Sequence, residues 1–309
     1  MLARAVLLAS IIVVATAPSA WPFTVADMGG RALTLPAPPQ RIISLVPSVT
    51  ELIFALGGQE RLVGVTDFCD WPADAKRKPS VGGMISPSLE TIVTLRPDLV
   101  IATDSGNRQE TVAQLDRLRI PVFMVHANRL AEMREVTARL GILTGRETSV
   151  APLVDRFDAR IRAVAAAVAA APRPRVLYVL WPEPLIVPGR DAIVTELIGL
   201  AGGESITANE RSDYPRYSVE AAVAHAPEVI ILARHGTGSG PIARDKWDRL
   251  VSVPAIKSGR VHAVDGNLMH RYGPRLADGV EQLARAACHR PMSSRCSPAA
   301  PMPRAPRAW

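Results

Sequence analysis

The chain is expected to fold as an α/β protein: two related lobes, each a mainly parallel sheet with flanking helices, bridged by one long rigid α-helix. Three observations carry this. Residues 88–103, SLETIVTLRPDLVIAT, align without a gap on residues 218–233, SVEAAVAHAPEVIILA. Both copies run Ser, an apolar residue, Glu, a helical stretch, Pro, an acid and an apolar strand. VTELI occurs at 49–53 and again at 194–198, each time followed shortly by Gly-Gly, and PVFMVHAN (121–128) has a weaker partner in RVHAVDGN (260–267). Matches in the same order point to a duplicated β and α unit. Finally, residues 146–171 lack Gly and set Val150, Leu153, Phe157, Ile161, Val164 and Val168 at steps of three and four, one face of a helix.

Taken in order, residues 1–20 read as a signal peptide: Arg4, a largely apolar core from Ala5 to Ala17, then small residues to Ala20. That core is short for a membrane span, which needs about 20 apolar residues; a retained anchor is the alternative. No Cys lies near the cut to carry a lipid. The product is expected in the periplasm, cleaved near Ala20. The first lobe (21–145) offers short apolar runs at 42–46, 62–66, 99–103 and 122–125, as buried parallel strands do. Ser48-Val-Thr-Glu51 fits a capping box, and Pro87 a first helical position. The bridging helix is expected over 146–172, with Pro152 in its first turn and alanines adding helix propensity. About 25 residues would span nearly ~40 Å. The second lobe (173–287) repeats the pattern with strands at 176–180, 229–233 and 261–264 and Ser218 as an N-cap.

Residues 288–309 form a basic, Pro-rich tail without acids, read as disordered. It holds four of the arginines behind the net charge of +7; without them and Arg4 the body carries +2. That balance gives no footprint for nucleic acid. Three cysteines exclude a disulfide scaffold; Cys288 and Cys296 could close a tail loop, leaving Cys69 to its local context.

RIISLVPSVTELIFALG, LVGVTDFCDWP, PSLETIVTLRPDLVIAT, YSVEAAVAHAPEVIIL and GPRLADGVEQLARA together resemble the periplasmic binding proteins that feed ABC importers of vitamin B12, haem and iron–siderophore chelates. The resemblance runs from about Thr24 to Ala287 and is nearest the cobalamin-binding branch. It implies a ligand cleft between the lobes, modest closure, a monomer, and a corrinoid or metal chelate as cargo, with haem or a ferric siderophore as the alternative. Any cobalt or iron belongs to that ligand; no resident cofactor or protein metal site is implied.

Ligands of open α/β sheets sit beyond the carboxyl ends of the strands. Six of the chain's fourteen aromatic residues fall on such segments: Phe68, Trp71, Trp181, Tyr214, Tyr217 and Tyr272. Rigid aromatic faces suit a large flat ligand, although any single ring can also serve to pack its loop. Cys69, Asp70, Met84, Thr103, His235 and His270 share these segments and complete the candidate binding set. The six histidines show no His-x-His pairing, so a bare-metal site is discounted; His126, His270 and Tyr272 remain candidates for one axial contact to a ligand's metal. Catalytic readings fail on spacing. Gly236-Thr-Gly-Ser-Gly240 matches neither a dinucleotide loop nor a nucleophile elbow, and Cys69 lacks a Cys–His signature.

Glu90 and Glu220 occupy matching positions just inside the two repeated helices. A first-turn carboxylate complements the helix dipole by about 0.3–1 kcal/mol, which is one explanation. The other follows from the resemblance: two equivalent acidic knobs dock on arginine pockets of a permease dimer. Glu51 and Glu196, also repeated, are read as structural.

Overall fold

A computed structural model describes residues 23–234 and 244–288. The signal-peptide segment, His235, the 236–240 glycine loop, Cys296 and the tail beyond Cys288 lie outside these residues. The first lobe opens with an antiparallel hairpin, β1 (Phe23–Ala26) and β2 (Ala32–Leu35), which the sequence reading missed. It continues β3 (Ile42–Ser44), α1 (Pro47–Leu56), β4 (Leu62–Val65), α2 (Leu89–Thr94), β5 (Leu99–Thr103), α3 (Gln109–Arg117), β6 (Val122–Val125) and α4 (Leu130–Thr144). After α5 (Glu147–Val168) the second lobe runs β7 (Arg175–Val179), β8 (Trp181–Pro182), β9 (Leu185–Ile186), α6 (Ile193–Leu200), β10 (Glu204–Ser205), α7 (Val219–Ala224), β11 (Val229–Arg234), α8 (Arg244–Asp248), α9 (Pro254–Lys257), β12 (Val261–Asp265), α10 (Gly266–His270) and α11 (Leu276–Ala287).

Each lobe holds a four-stranded parallel sheet, ordered β4-β3-β5-β6 in the first and β10-β7-β11-β12 in the second. The two orders coincide strand for strand. Period-two alternation splits each strand between two cores. Ile42, Leu99 and Ile101 face the side covered by α1 and α4, while Ile43, Val100 and Ala102 face Ile92 of α2 and Leu115 of α3. In the second lobe Val176, Tyr178 and Ile231 face α6 and α11; Leu177, Ile230 and Leu232 face Ala222 and Trp247.

The repeat extends to single hydrogen bonds. Ser88 and Ser218 cap their helices by accepting from the N–H groups of Thr91 (3.2 Å) and Ala221 (3.0 Å). Both helices then turn through a left-handed residue, Arg96 (φ 44°) and Ala226 (φ 46°), ahead of the proline. The acid after each proline accepts from the backbone N–H that opens the neighbouring strand: Asp98 from Arg41 at 2.9 Å, Glu228 from Arg175 at 2.9 Å. The paired glycines match as well. Gly57 (φ 80°) and Gly202 (φ 82°) take the left-handed backbone that ends a helix, and the next N–H, of Gly58 or Gly203, reaches Ile53 O or Ile198 O at 2.9 Å. Each second glycine also lacks room for a side chain: a Cβ would come within 2.9 Å of Thr144 or 2.7 Å of Val176.

Helix α5 carries its apolar face from one core to the other. Leu153 is buried in the first lobe's core, whereas Phe157, Ile161 and Val164 are buried in the second's. Its 22 residues span ~33 Å. Pro152 is its sixth residue, not in the first turn as expected, and costs one internal hydrogen bond there. Two other local expectations need correction. The N-cap of α1 is Val46 and Pro47 is its first residue, so Ser48 lies inside the helix and forms no capping box with Glu51. Pro87 precedes the N-cap of α2 instead of opening that helix.

Candidate functional site

The loop after β4, Thr66-Asp-Phe-Cys-Asp-Trp71, sends successive side chains in different directions. Phe68 (57% exposed) and Trp71 (49%) stay open to solvent. Cys69 between them is buried: Thr50 Oγ1 donates to its Sγ at 3.2 Å, and Thr66 Oγ1 lies 3.3 Å away. Burial raises the thiol pKa against the lowering effect of these hydroxyls. Cys69 thus anchors the loop from beneath, buried between Thr50 and Thr66. Asp70 leaves the lobe altogether and accepts a hydrogen bond from Arg271 Nη1. Burial works to raise the Asp70 pKa, but this bond and the Arg271 charge outweigh it and hold it low.

Glu51 is the other half of the same cluster. Its side chain is 2% exposed and takes both hydrogen bonds of Arg275, from Nε at 2.8 Å and Nη2 at 2.5 Å. Arg271 Nη1 lies 3.6 Å from it. The Arg275 guanidinium also sits over the Trp71 ring, 4.7 Å from its centroid. Glu51, Asp70 and Trp71 come from the first lobe and both arginines from the second, so every contact crosses the boundary. The charges balance, and two-point guanidinium–carboxylate geometry fixes orientation as well as distance.

A second crossing lies on the opposite side of the duplication. Glu196 of α6 accepts from the Leu130 N–H at the start of α4 (3.1 Å), Arg129 Nη2 donates to Asp191 (2.6 Å), and Asn128 Nδ2 donates to Asp213 (2.9 Å). Leu130 and Met133, although carried by the first lobe, are buried in the second lobe's core. Both repeated glutamates of VTELI therefore reach across to the start of the other lobe's last helix. Reading them as structural holds, but for a reason the local sequence hides.

The remaining candidates form smaller groups. Thr103 is buried; its N–H donates to Asn107 Oδ1 (2.7 Å) and its hydroxyl pairs with Ser105 (2.9 Å), which shapes the loop that follows it. Asn107 also donates to Met84 O at 2.7 Å, and the Met84 methyl lies where a Cβ on Gly106 would stand. His126 Nδ1 meets the Asp104 carboxylate at 3.0 and 3.1 Å, and that hydrogen bond raises its pKa. In the second lobe Tyr214 and Tyr272 join hydroxyls at 2.7 Å, and His270 Nε2 lies 3.2 Å from the Tyr178 hydroxyl. Burial pushes the Tyr178, Tyr214 and Tyr272 phenols up, so these hydroxyls stay protonated as hydrogen-bonding groups. Tyr217 packs beside His225, with its hydroxyl 3.2 Å from Nδ1, away from the tyrosine pair. Trp181 is half exposed on the β8–β9 hairpin, its indole donating to Glu183 O at 3.0 Å. Glu90 and Glu220 are exposed at the second position of α2 and α7.

Sequence reasoning missed Glu51, Arg271, Arg275, Asn128 and Asp213 as groups that join the lobes. One signal was present: Glu51 interrupts the apolar run of α1, a costly position for a carboxylate without a partner. Among the described residues no group of three or more His, Cys, Asp or Glu side chains could hold a metal ion, and no helix is long and apolar enough to cross a membrane.

Comparison with known proteins agrees with this architecture. The vitamin B12-binding protein of Vibrio cholerae is 29% identical over 251 residues, covering 81% of this chain and 90% of that protein. The crystal structure of the V. cholerae periplasmic vitamin B12-binding protein BtuF superposes with a TM-score of 0.70 at 28% identity, covering 81% of this chain and 97% of that one. The periplasmic haem-binding protein BhuT, solved with two haems, gives 0.71 at 30% identity over 80% and 97%. Residues 42–268 match the sequence profile of periplasmic binding proteins, which spans both sheets and the helix between them. The chain belongs to the periplasmic binding protein family, carriers of solutes and not enzymes.

Proposed function

We propose that the chain captures a corrinoid of the vitamin B12 type in the cleft between its lobes and hands it, chemically unchanged, to an ABC importer. The observation that carries this reading is the loop after β4. It offers two exposed aromatic faces, Phe68 and Trp71, at a strand's carboxyl end where the lobes meet. Similarity to the V. cholerae vitamin B12-binding protein supports the corrinoid over other flat ligands. Haem is the second reading, favoured by the 30% identity to BhuT. Asp70, Met84, Trp181, Tyr214, His270 and Tyr272 are the further residues proposed to face the ligand, and export through the N-terminal signal segment would place the carrier in the periplasm.

Titration of the mature protein with cyanocobalamin, cobinamide and haem tests this directly. One-to-one corrinoid binding is expected; haem binding with a shifted Soret band and no corrinoid binding would replace the first reading by the second. Delivery is proposed to use Glu90 and Glu220, exposed at equivalent places on the two lobes, against a permease pair of matching symmetry. Glu90→Ala with Glu220→Ala should abolish uptake and leave ligand affinity unchanged; uptake at the wild-type rate would refute the docking role.

A further inference from the structure

Trp71 is a half-exposed indole on a loop, and such a ring ordinarily samples several rotamers unless something holds one face. Here one face is held by the second lobe. Arg275 lies 4.7 Å from the ring centroid, within the range of a cation–π contact. The guanidinium is itself fixed, because both oxygens of buried Glu51 hold its Nε and Nη2. Neighbouring Asp70 ties the same loop to Arg271. Beneath the loop the Cys69 thiol is pinned by Thr50 and Thr66. The chain Glu51–Arg275–Trp71 thus runs from the interior of α1, through the second lobe, and back to the first lobe's exposed ring.

We infer that Arg275 is a positioning residue for ligand recognition: anchored by Glu51, it sets Trp71 as a fixed wall of the inter-lobe cleft. The stacking face exists in its working position only while the lobes hold their present spacing. This rests on the cleft being the binding site, and it assigns ligand selectivity to a residue that need not touch the ligand. The class of ligand is a rigid, extended conjugated ring, which gains from a wall already in place because no rotamer freedom is lost on binding. A Lys at 275 would keep the charge but lose the planar fork that meets carboxylate and indole together.

The test is a double-mutant cycle with cyanocobalamin and haem as probes. Arg275→Lys should weaken binding about tenfold with Trp71 present, equivalent to ~1.4 kcal/mol. In a Trp71→Ala background the same change should cost less than about twofold, because the wall it positions is gone. Equal losses in both backgrounds would overturn the positioning role. A ligand-free readout separates this claim from the functional one. Trp71 emission, taken as wild type minus Trp71→Phe, should become more accessible to acrylamide in Arg275→Lys; unchanged quenching would refute the inference whether or not either probe binds. If Arg275→Lys does not fold, Glu51→Gln with Arg275→Gln removes both buried charges together and is read by the same quenching. Failure of the wild type to bind either probe would instead count against the proposed function.

Discussion

Replacing Glu51 by Ala removes the only carboxylate facing Arg275 at hydrogen-bond distance among the described residues and leaves two mostly buried guanidinium groups with Asp70 alone. Breaking a buried pair in this way costs about 3–5 kcal/mol. Arg271 and Arg275 retain 14% and 18% exposure, so water can reach them and the lower end applies, ~3 kcal/mol. At roughly 2–4 °C per kcal/mol for a domain of about this size, the melting temperature should fall by about 6–12 °C. Differential scanning calorimetry or urea unfolding reads this directly. The companion variant, Glu51→Leu with Arg275→Met, exchanges the pair for apolar volume and should recover most of the loss, since buried pairs barely outweigh their own desolvation. A Glu51→Ala variant within about 0.5 kcal/mol of wild type, or a double variant as unstable as the two single losses added, would refute a buried cross-lobe ion pair.

His126 should titrate above the ordinary histidine value because Asp104 hydrogen-bonds to its charged form. The stability this pair contributes is therefore present below about pH 6.5 and is lost as the pH rises through the elevated folded value. Histidine NMR titration should show Asp104→Asn returning His126 toward the ordinary value; a curve unmoved by that change would contradict the pairing. For Asp70, whose pKa is held low by Arg271 despite burial, the sign reverses. Its contribution holds above about pH 3.9 and fades as the pH falls through the lowered value, so the stability gap between wild type and Asp70→Asn should close in acid and persist at neutral pH. Cys69, buried with a raised pKa, should resist iodoacetamide in the native protein at pH 8 and react promptly in urea, as read by peptide mass spectrometry; rapid native labelling would place the thiol at the surface.

The sheets were readable in the sequence because buried parallel strands leave apolar runs bounded by turn residues, and a duplication shows each run twice. Strand limits at 99–103 and 122–125 match the structure residue for residue. The β1–β2 hairpin was not readable because Thr interrupts each of its short strands, FTVA and ALTL, and the two-residue strands of the second lobe are too short to show any pattern. The candidate site was legible where it follows a sheet's geometry: loops at carboxyl ends can be named from the strands, and Phe68 and Trp71 within one of them are exposed. What lay hidden was every contact between lobes. Ser48 and Glu51 fit a local capping pattern in sequence, which masks the one signal, a carboxylate inside the apolar run of α1, of a partner 224 residues away. Cys69 and Thr103 also sit at strand carboxyl ends, but neighbours fixed only by tertiary packing turn them inward.

The paired glutamates bear on where such a molecule comes from. Glu51 accepts from the Arg275 side chain just before α11, and Glu196 accepts from the Leu130 N–H that opens α4, so each half holds the start of a helix on the other. That reciprocity is the signature of a two-fold dimer, in which the same patch of each copy serves as its partner's socket. The two lobes are arranged as the halves of such a dimer would be, with α5 joining them covalently. A chain cut within that helix should yield fragments that each lack the partners of their cross-lobe hydrogen bonds and part of the cover of an apolar core, and that recover both by finding one another.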